Sequence, residues 1–304
     1  MTPRTKWLLA AVAFAAIAVA VYWRYTQRPL PDAELLGRLP LAGRVVVRLD
    51  VAALRSSGLL DSLAGAANIE EADYKQFVAE TGFNYRRDLD TVLLSHSPNE
   101  ASFLLTGRFQ WSRLQAYAAK QGGSCSNGIC RVKSSTPGRN VSFARINSCT
   151  LAMASSIETD AARTMLAPPA PIVDTEYPSA PVWFVIPSER LQDEKILPTG
   201  TRMFATALGN PERLTLSIGP QGNGFTATLS ARYPSIENAA QTLIEMNAAT
   251  KLLQRLLRLE HKEPNPRDLT GVLNKGEFRV EGSRLTATWP IERVFFENLL
   301  GGSN

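Results

Sequence analysis

The chain has 304 residues, 44% of them apolar and 20% charged. That is long enough for one large domain or two ordinary ones, and too apolar for a disordered polymer. Of 33 basic and 28 acidic side chains, Arg4, Lys6, Arg24 and Arg28 stand in the first 28 residues with no acid among them, leaving 29 against 28 beyond. So even a balance lacks the cationic field a nucleic-acid partner requires, and no nucleic acid is expected.

From Trp7 to Trp23 the sequence runs WLLAAVAFAAIAVAVYW, without charge, Pro or Gly. As a helix rising about 1.5 Å per residue, it covers roughly 25 Å of a hydrocarbon layer about 30 Å thick. Leu8, Leu9, Phe14 and Ile17 supply the apolar body, while Trp7 at one end and Tyr22 and Trp23 at the other suit the two headgroup levels. Residues 1–28 therefore read as a signal anchor with a transmembrane helix over about 7–23. A leader cleaved after Ala18-Val19-Ala20 is the alternative, and either one exports the rest. The expected placement is a single span of the inner (cytoplasmic) membrane, N-terminus inside, with the remainder periplasmic or extracellular.

A first α+β unit is expected over 29–167. It opens with VVVRLDVAALRSSGLL (45–60), a strand running into a short helix, and adds a helix at Glu70 to Thr81. The hairpin VLLSHSPNEASFLLTGRF (92–109) follows, and then SCSNGIC, in which Asn127-Gly128 is the strongest short signal for a two-residue type I′ turn. That turn makes Cys125 and Cys130 a facing, non-hydrogen-bonded pair whose Cα atoms lie about 4.5 Å apart, within disulfide range. A disulfide is expected, and it persists only outside a reducing cytosol. Cys149 is left over and is expected to be a buried free thiol.

The stretch 166–181, LAPPAPIVDTEYPSAP, carries five prolines, which resist both helix and ladder, so a linker is placed at 168–180. The second unit, 181–304, repeats the first. VWFVIPSERLQDEKIL (182–197) aligns with 45–60 so that Val47 falls on Phe184, LTLSIGPQGNGFTATLSARY (214–233) matches the first hairpin, and 278–300 matches 143–166. Each unit thus reads as a βαββαβ-type, ferredoxin-like antiparallel sheet covered by helices. The second unit stretches its middle helix from about Ser235 to His261. A leucine stripe there, beside Lys251, Arg255 and Arg258, is the candidate partner face, although helices that merely cover a sheet show the same stripe.

Catalytic signals are sparse. His96 and His261 are the two histidines, and no phosphate-loop, dinucleotide, nucleophile-elbow or zinc-protease motif occurs. No cofactor and no metal are accordingly expected. GPQGNG (219–224) joins two strands and reads as a hairpin turn. Glu70, Glu71, Asp73, Asp88 and Asp90 form the densest acidic group, but Arg86 and Arg87 beside them favour a salt-bridged turn over a carboxylate pair.

The leader, the opening VVVRLDVAALRSSGLLDSL, GFNYRRDLD, GGSCSNGICRV and the closing strand-helix of each half together resemble uncharacterised bacterial families with an N-terminal anchor and duplicated α+β units outside the membrane. The resemblance implies a fold and a compartment but no activity. The expectation is a non-enzymatic binding or envelope-assembly module with a protein or other envelope component as partner. The alternative is a hydrolase of unfamiliar type with its site in the cleft between the units.

Overall fold

The computed structural model describes residues 28–60, 72–172, 177–190, 201–222 and 224–301. The anchor residues Trp7, Leu8, Leu9, Phe14, Ile17, Tyr22 and Trp23 lie outside these, as do Glu70 and Glu71. Among the described residues no helix is long and apolar enough to cross a membrane.

In chain order the elements are α1 (Asp32–Arg38), β1 (Val45–Asp50), α2 (Val51–Ser56), α3 (Ala72–Thr81), α4 (Tyr85–Asp88), β2 (Leu89–Ser97), β3 (Glu100–Gly107), α5 (Trp111–Lys120) and β4 (Ser124–Ser126). There follow β5 (Ile129–Lys133), β6 (Asn140–Asn147), β7 (Thr150–Ser156), a 3₁₀ helix (Ala161–Leu166), β8 (Val182–Pro187) and α6 (Arg202–Leu208). The chain continues with β9 (Arg213–Gln221), β10 (Gly224–Arg232), α7 (Ile236–Leu259), α8 (Leu269–Leu273), β11 (Glu277–Glu281), β12 (Arg284–Ile291) and α9 (Arg293–Gly301).

The expected pair of ferredoxin-like sheets is not what forms. The strands join in one 12-stranded sheet, ordered β11-β12-β10-β9-β8-β1-β2-β3-β7-β6-β5-β4. The two halves of the chain join at the antiparallel pair β1–β8, in which Val46 faces Val185 and Val47 faces Phe184. The reason lies in the two strands themselves. Val45 and Val46 are both buried in β1, and Val182, Trp183, Val185 and Ile186 in β8. A strand apolar on both sides belongs in a sheet interior with both faces covered, not at the margin of a small sheet. The internal order also departs from βαββαβ. A ferredoxin-like unit sets its first strand parallel to a neighbour across a helix, whereas β1 pairs antiparallel with β2, and β8 with β9.

Alternation along the strands divides the core between the two faces. On one face Val45, Val182, Ile186, Leu214, Leu229 and Leu285 pack under Leu54 of α2, Phe204 of α6, Met246 of α7, Val272 of α8 and Phe295 of α9. On the other, Val46, Leu93, Leu104, Ala152, Trp183 and Val185 pack under Leu35 and Leu36 of α1 and Ala161, Ala162 and Met165 of the 3₁₀ helix. The described ends of the proline-rich stretch lie against this second layer. Ala170 donates its N–H to the carbonyl of Gly37 (2.8 Å), where a Cβ would meet the Ala170 oxygen at 2.5 Å. At its far end, Pro181 accepts from the Asp50 N–H (2.7 Å).

Candidate functional site

The cysteine hairpin forms in the expected register. Asn127 and Gly128 both take positive φ, 51° and 77°, as a type I′ turn requires. Ser126 faces Ile129 and Cys125 faces Cys130, and the two cysteines are disulfide-bonded with Cα atoms 4.0 Å apart. Arg131 of the same hairpin ion-pairs with Asp160, Nη2 to Oδ2 at 2.8 Å, which ties β5 to the 3₁₀ helix. Those contacts, led by the Arg131 hydrogen bond, draw the Asp160 carboxyl down to about 2.

Among the described side chains of the acidic segment, Asp88 and Asp90 do not form a carboxylate pair. Asp88 is buried and accepts from Arg87 Nη2 (2.9 Å), Arg108 Nε (3.2 Å) and the Asn84 N–H (3.0 Å). The Arg87 hydrogen bond is the main cause of its lowered pKa. Asp90 lies 3.7 Å from Arg55 instead. Cys149 lines the recess beside Asp88, and burial raises its thiol pKa. His96 is exposed in β2, opposite Ala101, and His261 is exposed just past α7 with φ 52°. Among the described residues no group of three His, Cys, Asp or Glu side chains is placed to hold a metal. Near the junction of the halves, a recess of about 220 Å³ is lined largely by Leu54, Leu59, Val182, Ile218 and Phe225.

Two surfaces stand out. The first is α7, which runs within two residues of its expected span. Ser235 Oγ caps it, accepting from the Asn238 N–H at 3.2 Å, and Ala239, Met246, Ala249 and Leu257 form its buried side. On its outer side Ile244 (63% exposed), Leu252 (47%), Leu256 (44%) and Leu259 (68%) remain open to solvent. Lys251, Arg255 and Arg258 are exposed on the same half of the helix. The three cations and the open leucines are thus on one accessible surface, and the covering role is carried by other residues of the helix.

The second surface escaped sequence reasoning. On the sheet face away from α7, strands β9, β10 and β12 present polar side chains in rows. Arg213 faces Arg232, which faces Arg284; the next row is Thr215, Ser230 and Thr286. Three guanidinium groups therefore meet across adjacent strands. The Arg213 guanidinium lies over the Tyr177 ring, 5.2 Å from its centroid, and that ring packs tilted on Trp183 at 5.1 Å. Burial first, and then the charges of Arg232 and Arg284, push the Arg213 pKa below its ordinary value. The three arginines, with Thr215, Ser230 and Tyr177, line a recess of about 320 Å³. Arg213, Arg232 and Tyr177 also border a groove of about 690 Å³ floored by Leu36, Leu39, Leu41 and Ile172.

The architecture is that of an α+β protein, one antiparallel sheet with helices against it. No known protein family matches the chain, and no curated protein does. Among solved structures it is similar to crystal form I of TP0453, with a TM-score of 0.48 and 14% identity, covering 89% of this chain and 99% of that one. Crystal form III of TP0453 gives the same TM-score and identity over 90% and 99%. At that distance the likeness carries no functional argument.

Proposed function

We propose that the protein is a non-enzymatic binding module of the cell envelope, held outside the cytoplasm, whose α7 face rests on an acidic lipid surface. The observation that carries this reading is the one-turn spacing of open leucines on α7, each preceded in sequence by an exposed cation. Leu252, Leu256 and Leu259 present apolar surface beside Lys251, Arg255 and Arg258, the combination that lays a helix in an anionic interface. The charge-free run 7–23 in the sequence and the Cys125–Cys130 bond support a place beside a membrane in an oxidising compartment.

The test uses the full chain in its native membranes, with a photoactivatable side chain substituted at Leu256. Crosslinks to phospholipid, reduced by about tenfold in an Arg255→Glu/Arg258→Glu variant through charge repulsion, are the expected result. Labelling of protein alone would sink the lipid surface as partner.

A further inference from the structure

We infer that the recess beside Asp88 is a binding site for a carboxylate that carries an aromatic ring, its charge met by Arg87, Arg108 and Arg113 and its ring by Phe83 and Phe109. The recess measures about 450 Å³, within the range of small-ligand sites, and all of its lining residues lie within the described ranges. Three observations carry the inference, and the first is charge. Asp88 engages Nε and Nη2 of Arg87 and Nε of Arg108, so among the described residues the Nη1 group of each arginine has no acceptor. Both side chains are about two-thirds exposed (68% and 69%). The Arg113 side chain makes no hydrogen bond or ion pair among the described residues, and its Nη1 lies 2.9 Å from where a Cβ on Gly82 would stand. Three guanidinium groups thus stand around one carboxylate. A ligand anion has no need to displace Asp88, because it uses the donors that Asp88 leaves over. Asp90, whose charge reaches Cys149, is itself held by Arg55 at 3.7 Å. The balance that remains suits a monoanion.

The second observation is the pair of rings. Phe83 and Phe109 stack with centroids 5.2 Å and planes 14° apart, and both are only half-buried where they line the recess. An open ring face or edge attracts a further ring at centroid distances of about 4.5–7 Å. The third is rigidity. Gly82 donates its N–H to the Val78 carbonyl (2.8 Å), Arg108 to that of Asp88 (2.7 Å) and Gly107 to that of Cys149 (2.9 Å). These bonds join the end of α3, the start of β2, the end of β3 and the β6–β7 turn, so charged and apolar walls are fixed before any ligand arrives. Gln110, at the start of α5, makes no side-chain cap bond and lines the same recess, where its amide is able to donate as well.

The site shares no residue with the α7 face. It is tested on the full chain in a nonionic detergent by calorimetric titration. Alkylation of Cys149 by N-ethylmaleimide is the second readout, since that thiol lines the recess and the other two cysteines are disulfide-bonded. The probes are N-acetyl-phenylalanine, its amide, acetate and phenyl phosphate. N-acetyl-phenylalanine is expected to bind saturably and to slow the alkylation, with its amide and acetate roughly tenfold weaker or more. A short glycine peptide ending in phenylalanine separates two sources of the same chemistry. Binding as tight as that of the single residue marks a polypeptide C-terminus as the ligand, its exclusion marks a free aromatic acid, and both uphold the site.

Arg113→Gln should weaken N-acetyl-phenylalanine by roughly threefold to tenfold with an unchanged circular dichroism spectrum. Phe109→Leu should weaken it while leaving any acetate binding as it was. An Arg255→Glu/Arg258→Glu chain should bind as the parent does, which separates this site from the α7 reading. Equal affinity for the acid and its amide, tighter binding of phenyl phosphate, binding that leaves the alkylation rate unchanged, or an Arg113→Gln chain that binds as well as the parent would each overturn the inference.

Discussion

Asp88 shows how a single carboxylate is turned into a structural joint. It is 6% exposed, and its acceptors are used by Arg87, Arg108 and the Asn84 backbone. Removing it leaves two guanidinium groups that remain largely solvated, so the cost is that of lost charged hydrogen bonds and not of stranded buried charge. Asp88→Ala is expected to lower unfolding stability by about 2 kcal/mol, measured by urea denaturation at neutral pH. Asp160 gives the acid limb. Its folded pKa, about 2 against an ordinary 3.8, lies below that of the unfolded chain. Its stabilising contribution is therefore complete above the unfolded value and is lost as pH falls toward about 2, and the lowered pKa of Asp88 acts in the same direction. A melting temperature that declines between pH 5 and 2, and declines less in Asp160→Asn, is the expected result.

At the scale of elements, local chemistry in the sequence specified a good deal. The Asn-Gly turn placed the disulfide because both the φ signs and the facing register follow from two residues. Replacing Cys125 by Ser is expected to cost about 2 kcal/mol by the loop-entropy relation for so short a loop, and a thiol assay on the denatured, unreduced parent chain should find Cys149 as its reactive cysteine. The span of α7 was legible from Ser235 and the apolar spacing, as was the strand character of 45–49 and 182–186.

The arginine row was half legible. With GPQGNG read as a hairpin turn, counting outward from the Gln221–Gly224 pair sets Arg213 opposite Arg232. Placing Arg284 beside them needs the β10–β12 pairing across the whole of α7, for which no local pattern exists. Sheet assembly was the larger miss. Hydrophobic alternation states which residues are buried but not which strand they lie against, so a doubly buried strand calls for neighbours on both sides without naming them.

For the whole molecule, one continuous sheet has a thermodynamic signature. If the halves were separate bodies they would unfold separately; joined through β1 and β8, with Val46, Trp183 and Val185 in one cluster, they should unfold together. Calorimetry of the full chain is expected to show a single transition, and two resolved transitions would contradict a cooperative β1–β8 junction. Trp183→Ala, which opens a cavity at 1% exposure in that junction, should lower stability by about 3–5 kcal/mol and carry both halves down with it.

The β1–β8 pairing also sets a timetable for synthesis. Val47 meets Phe184, so the first half of the sheet emerges from the ribosome or the export channel with β1 as an uncovered edge, apolar on both faces. Until residue 187 has followed, that edge is open to any other unpaired strand. The outer margins finish differently: β4 is three residues long and β11 carries Glu277, Arg279 and Glu281, both poor templates for a foreign strand. The vulnerable moment of this protein is therefore nascent, and slowing translation between residues 156 and 187 should raise its aggregation without altering the stability of the finished fold.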